Sequence, residues 1–237
     1  MSLPFFFADL GLNEGSLIEP GEETAKHIVQ VLRMGAGERM ILTNGRGLAA
    51  ECTITSVSKR SCTLKVGVVT NSAPSAHHIT IAISLLKNSA RFEWFLEKAA
   101  ENGINKIIPL ICARTEKQRF RKDRAEAILI SAMQQSQQSW ITEVSDPIDL
   151  KKYLASPHEG MKYIAHCDDQ ERHSLAQSID ANTTHSTILI GPEGDFTVEE
   201  IALAFQNGFT PVTLGDTRLR TETAGLVAAI LLRQLGK

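Results

Sequence analysis

No apolar run in this 237-residue chain approaches the roughly 18 residues of a membrane-spanning helix. The longest, Leu226 to Leu232, is less than half that, so no membrane span is expected. The opening MSLPFFFADL has no basic stretch ahead of a long apolar region, which argues against a secretory signal. Cysteine is scarce. Cys52, Cys62, Cys112 and Cys167 stand far apart without C-x-x-C spacing, which argues against a zinc or disulfide framework. They fit the reduced, mostly buried thiols of a cytoplasmic protein, and no metal site is expected. A charge excess is missing too: the net charge is −2, which does not mark the whole chain as a nucleic-acid binder. Internal repeats and low-complexity segments are also lacking.

What is present is an ordinary globular composition, 43% hydrophobic and 22% charged, long enough for one large or two smaller domains. Global charge averages over faces, and the local distribution says more. From Arg114 to Arg124 six cations, Arg114, Lys117, Arg119, Arg121, Lys122 and Arg124, stand against two acids, Glu116 and Asp123. Arg33, Arg39 and Arg46 cluster near the amino terminus. Such cations are either solvated faces or phosphate contacts.

Two styles of sequence meet near residue 73. Before it, ERMILTN (38–44), LAAECTITSV (48–57) and SCTLKVGVVT (61–70) read as strands, with Asn44-Gly45 and Arg46-Gly47 as a turn. A helix over GEETAKHIVQVLRM would place Ile28, Val31 and Leu32 on one stripe. Residues 1–72 are therefore expected to form a small β-barrel. NSAPSAHH (71–78) reads as a linker.

From 73 to 237 strands alternate with helices. ITIAISLLK (79–87) is a doubly covered strand, and the following helix sets Phe92, Phe95, Leu96, Ala99 and Ala100 on one face before a stop at Gly103. Further strands are expected at 106–111, 162–167, 187–191 and 211–215. Helices are expected at about 120–138, 147–155, 198–207 and 222–235. The alternation implies an α/β fold with a mainly parallel sheet.

Two strand ends carry chemistry. In Ile190-Gly191-Pro192-Glu193-Gly194-Asp195-Phe196-Thr197, Thr197 and Glu200 form a capping box, and Phe196 with Ile201 fits a hydrophobic staple. Gly191 and Gly194 would permit close backbone approach or positive φ, with Glu193 beside a ligand. The second bend, Leu214-Gly215-Asp216-Thr217-Arg218-Leu219-Arg220, opens a helix that Leu226, Val227, Ile230 and Leu231 would bury and Gly236 would end. Thr221 and Thr223 can cap that helix. Arg218 and Arg220 stand where a helix amino terminus already favours anions. His27 and His166 read as structural.

GPEGDF followed by LGDTRLRTETA resembles the ribosomal RNA small subunit methyltransferase E family, a branch of the SPOUT superfamily. HIVQVLRMGAGERMILTNGRG resembles its PUA-like barrel, and LLKNSARFEWFLEKAAENGINKIIPLICART its following segment. Two departures stand out. Gln134-Gln135-Ser136-Gln137-Gln138 occupies the place of the family's E-Q-x-G-R, so roles of that glutamate or arginine do not carry over. Thr217 stands where an arginine often precedes I-L-R-T.

The resemblance implies a SPOUT-type parallel sheet with a carboxyl-terminal trefoil knot, behind a PUA-like domain. It implies S-adenosylmethionine held by Ile190, Gly191, Pro192, Glu193, Gly194, Leu214, Gly215, Leu219, Arg220, Thr221, Thr223 and Ala224, with a wall near His166. Methylation of uridine N3 in 16S ribosomal RNA, free or in the assembled small subunit, by a cytoplasmic homodimer would follow. A sulfonium is already a good leaving group, so the task is to place N3 and remove its proton. Arg220, Arg218 and Glu193 are the candidate catalytic residues; Arg33, Arg114, Lys117, Arg119, Arg121 and Lys122 are the candidate RNA contacts. Ribose 2′-O methylation and a catalytically silent RNA-binding module are the alternatives.

Overall fold

Short alternating strands build the first part of the chain. In the computed structural model, which describes residues 3–116, 119–167, 173–180 and 182–235, β1 (Phe5–Phe7), β2 (Leu17–Ile18), α1 (Glu22–Lys26), β3 (Arg39–Thr43), β4 (Leu48–Val57) and β5 (Cys62–Asn71) follow in order. The sheet runs β1-β3-β4-β5-β2, parallel at β1–β3 and antiparallel elsewhere. It is a mixed sheet, and among the described residues no ladder joins β1 to β2. Met40, Leu42, Cys52, Ile54, Leu64 and Val66 alternate onto its buried face.

The expected single helix over 21–34 is instead α1 followed by a π-helical turn, His27–Val31. Leu32 N–H bonds His27 C=O at 3.0 Å, five residues back, so the 3.6-residue stripe breaks there. Ile28 is buried, but Val31 and Leu32 face solvent.

This unit comprises Met1–Pro74 together with Met133–Ile141. The linear expectation placed that second segment in the α/β part. It returns because Ile141 N–H bonds Gly45 C=O, Gly47 N–H bonds Ser139 C=O, and the Trp140 indole donates to Ser72 C=O at 3.0 Å.

The other unit, Ser75–Ala132 with Thr142–Lys237, holds β6 (His78–Ser84), α2 (Ser89–Glu101), β7 (Lys106–Ile111), α3 (Lys122–Gln135, its last turn counted with the first unit), β8 (Glu143–Val144), β9 (Ile148–Asp149), α4 (Leu150–Leu154), β10 (Met161–Ala165), β11 (His173–Ser174), α5 (Leu175–Ser178), β12 (His185–Ile190), α6 (Val198–Gln206), β13 (Thr210–Thr213) and α7 (Thr221–Leu235). β8, β9, β11 and α5 are too short to leave a periodic signal. The sheet order is β11-β13-β10-β12-β6-β7-β8, all parallel, with β9 also on β7.

Its strands are covered on both faces. Ile81, Ile83, Ile188, Ile190 and Tyr163 pack with α2 and α7 on one side. Ala82, Ile108, Leu189 and Ile164 pack with α4 and α6 on the other. This double burial explains the uninterrupted apolar runs. Among the described residues, no helix is long and apolar enough to cross a membrane.

The buried face of α7 differs from the expected one. Gly225, Ala228, Ala229 and Leu232 are buried, whereas Ile230 is 40% exposed and Leu226, Val227 and Leu231 are only partly covered. The small side chains let α7 approach α2 and β6 closely: a Cβ on Gly225 would stand 2.7 Å from Phe95 and 2.8 Å from Ile83. The Gly236 stop lies outside the described residues. Gly225→Ala should therefore destabilise the protein by about 1–3 kcal/mol, although alanine is the better helix former. Chemical denaturation checks this; a stabilised variant would contradict the packing.

Candidate functional site

Because the long strands are parallel, their carboxyl ends share one edge, and the loops leaving β6, β7, β10, β12 and β13 meet there. β10 lies between β12 and β13, so the chain leaves β10 for one neighbour and then crosses to the other. That reversal brings the loops after these three strands together.

The bend after β12 is fixed by side chains. Thr197 accepts from Glu200 N–H and Glu200 Oε2 accepts from Thr197 N–H, completing the capping box of α6. Phe196 and Ile201 are buried in the same core cluster, as the staple requires. The other oxygen of Glu200 accepts from Ala113 N–H at 2.7 Å, tying the loop after β7 to the helix. Arg114 donates to the carbonyls of Gly194 (2.6 Å) and Phe196 (3.3 Å). Asp195, held at φ 63, accepts from Cys167 N–H at 2.8 Å and so joins the loop after β10. Lys87 N–H donates to Glu193 at 3.2 Å.

Neither Gly191 nor Gly194 has positive φ. A Cβ on Gly191 would press on the Phe196 ring at 3.1 Å, and one on Gly194 would meet Arg114 at 3.4 Å. Gly191 is thus required by its own loop's packing. Gly215 is the strained one, at φ 138, with no atom within 4 Å of where a Cβ would stand. Thr213 steadies that bend by donating to Gly215 C=O at 2.8 Å.

Two adjoining cavities open between these loops. One, of about 340 Å³, is lined by His166, Leu214, Gly215, Asp216 and Thr217 among others. The other, of about 290 Å³, is lined by Ile190, Gly191, Pro192, Glu193, Arg220 and Thr221 among others. Ala165, Cys167, Arg218, Leu219 and Ala224 line both. Gly194 and Thr223 line neither. Arg220 C=O accepts from Ala224 N–H at 2.7 Å, so Arg220 precedes the first turn of α7 and Thr221 already lies within it.

Arg218 and Arg220 are exposed, and among the described residues neither is paired with a carboxylate. Sequence reasoning missed Asp195, Lys87 and the structural use of Arg114, because each acts through a loop distant in sequence. It read Arg114 only as an RNA contact.

The remaining basic residues are largely paired. Arg121 meets Asp123 at 2.8 Å, Lys122 meets Asp146 at 3.1 Å, and Arg124 grips Glu93 at 2.5 and 2.7 Å. The Arg124 guanidinium holds the Glu93 carboxyl below its usual range. Arg119 is exposed with no carboxylate partner among the described residues; Lys117 lies outside them. Arg33, in the first unit, is exposed at φ 55. His166 is buried at the cavity wall and His27 is exposed against the edge of Phe6. Cys52, Cys62 and Cys112 are buried, burial pushing the Cys112 thiol up to about 12, while Cys167 is exposed.

Residues 73–233 match the family model for the RNA methyltransferase domain, and residues 20–67 that for the RNA methyltransferase PUA domain. The ribosomal RNA small subunit methyltransferase E of Bacillus subtilis (strain 168) is 30% identical over 221 residues, covering 88% of this chain and 86% of the relative. The crystal structure of a probable rRNA-methyltransferase from Porphyromonas gingivalis has a TM-score of 0.89 at 35% identity, covering 99% of this chain and 98% of that one. The ribosomal RNA small subunit methyltransferase E from Neisseria gonorrhoeae, solved bound to S-adenosyl methionine, has a TM-score of 0.89 at 29% identity and covers 98% of each chain.

Glu200→Ala removes both the reciprocal cap and the acceptor of Ala113 N–H. It should destabilise by about 2–4 kcal/mol, against about 1 kcal/mol for Thr197→Ala. Urea titration of the two variants checks the order; equal effects would show that the bond to Ala113 contributes nothing.

Proposed function

The chain belongs to the RNA methyltransferase family, and on that premise we propose that it transfers a methyl group from S-adenosylmethionine to N3 of a uridine in 16S ribosomal RNA. The observation that carries this reading is the pair of adjoining cavities at the carboxyl edge of β10, β12 and β13, with two arginines over them that have no carboxylate partner among the described residues.

The residues present fit the cofactor. Ile190, Leu214, Leu219 and Ala224 offer an apolar slot for a planar base, beside the backbone groups of two bends. Glu193, Asp195 and Asp216 bring carboxylates to the walls for groups of positive charge. The open space at Gly215 leaves room along one wall. When bound, S-adenosylmethionine supplies a methyl group on a sulfonium, already activated for transfer. Uracil N3 must then lose its imide proton, and the resulting anion is favoured by fixed cations. Arg220 fills that role, with Arg218 beside it or clamping an adjacent phosphate. Glu193, restrained by Lys87 N–H, orients the cofactor or takes the proton.

N3 lies on the pairing edge of uracil, so the target base must be unpaired or drawn from its stack. The PUA-like unit with Arg33, and Arg119, Arg121 and Lys122 in the other unit, serve as RNA contacts. Exposed ion pairs such as Arg121–Asp123 are weak enough to exchange a carboxylate for a phosphate. The half-covered apolar flank of α7 supports a homodimer. The crossing from β12 to β13 on the far side of β10 supports a trefoil knot. A cytoplasmic setting, where ribosomal RNA is found, completes the reading.

Nucleoside mass spectrometry of 16S ribosomal RNA treated with the enzyme should detect 3-methyluridine, and a ribose-methylated product would overturn the base assignment. Arg220→Ala should lower kcat about 10²–10³-fold, the loss typical of one transition-state donor, with cofactor affinity held. Bound S-adenosylmethionine should protect Cys167 from alkylation; undiminished labelling at saturating cofactor would place the cofactor elsewhere.

A further inference from the structure

A third cavity, of about 470 Å³, lies in the α/β unit beyond those assigned to methyl transfer. Its floor is apolar, formed by Leu85, Leu86, Phe92 and Leu96, and Arg119, Phe120 and Arg124 stand on its rim. The volume falls within the roughly 300–1,000 Å³ of small-molecule sites. It adjoins the transfer site closely. Leu86 lines this cavity, and the next residue, Lys87, donates its N–H to Glu193, which lines the other.

The walls combine two kinds of recognition. Phe120 is half-buried and meets Phe92 edge to face, at 6.1 Å between centroids and 88° between planes, which fixes the ring while it lines the cavity. Arg124 is locked on Glu93 by two hydrogen bonds. Its charge is thereby matched, and its guanidinium offers a flat, fixed surface of the kind on which bases stack. Arg121 is matched by Asp123. Of the arginines on this rim, only Arg119 lacks a carboxylate partner among the described residues. A stacking surface beside a single open cation has the dimensions of recognition of one nucleotide: a base and its phosphate.

We propose that this cavity is a subsite for one unstacked nucleotide of the substrate RNA, next to the nucleotide that is methylated. Its base stacks against Phe120 and Arg124, and its phosphate meets Arg119. The neighbouring position follows from the Lys87–Glu193 link, which separates this cavity from the one that Arg220 overlooks. The assignment rests on the RNA methyltransferase reading and adds to it a place where sequence or shape around the target is sensed.

The test uses the whole protein with a short single-stranded oligouridylate carrying 4-thiouridine, alongside Arg119→Ala and Phe120→Leu. Phe120→Leu keeps most of the core volume, and thermal melts identify any loss of folding; Phe120→Trp restores a stacking surface. Photo-crosslinks should map to 85–96 or 119–125. Each of the first two variants should weaken oligonucleotide binding roughly tenfold. The loss on ribosomal RNA should appear in KM and not in kcat, with affinity for S-adenosylmethionine unaltered and Phe120→Trp recovering binding. Unchanged binding in both variants, or crosslinks confined to other peptides, would overturn the subsite. So would variants that alter self-association in ultracentrifugation and leave RNA binding intact, since a second copy would then cover this face. Failure of the wild-type protein to bind S-adenosylmethionine would sink the methyltransferase reading instead, and the crosslinks would still decide whether RNA enters the cavity.

Discussion

One buried carboxylate holds the site in register. Glu200 accepts the N–H of Thr197 with one oxygen and that of Ala113 with the other. The first bond starts α6, and the second fastens that helix to the loop after β7. Between those anchors the bend 191–196 has little freedom, and Arg114 and Asp195 remove more of it by reaching its carbonyls and the loop after β10. A carboxylate at 4% exposure is tolerable only because both oxygens are matched. A pocket walled by loops needs such fastening, since loops are otherwise the mobile part of an open sheet.

The same logic sorts the arginines. Those bonded to a carboxylate or to loop carbonyls act as structure: Arg114 steadies a bend, and Arg124 stiffens a wall against Glu93. Those without a carboxylate partner among the described residues of the α/β unit, Arg119, Arg218 and Arg220, lie at cavity rims. A cation with no protein partner keeps its full field for a ligand anion, while one already paired offers mainly its shape. Counting positive charges along 114–124 would treat them all alike.

Local pattern was a good guide where local forces decide. The buried face of α2 emerged residue for residue from its 3.6 period, because a helix against a sheet must bury one stripe. The capping box at Thr197 and Glu200 needs only four residues, so it was visible in the sequence. The π-turn at His27–Val31 was hidden, since its register shift leaves no composition signal. The buried side of α7 was misjudged for a related reason. Hydrophobicity alone favours Leu226 and Ile230, but the close approach to Phe95 selects Gly225 and Ala228.

The sequence by itself determined which strands end in tight bends, where the helices after them begin, and, through the GPEGDF and LRTETA runs, the family that uses them. Tertiary structure alone decided that these bends share one edge, that Arg114 serves a bend 80 residues away, and that 133–141 returns to the first unit. The division follows from range. Caps, turns and periodicity are set by neighbours within a few residues, while strand order and side-chain pairing between distant loops depend on how the whole sheet closes its core.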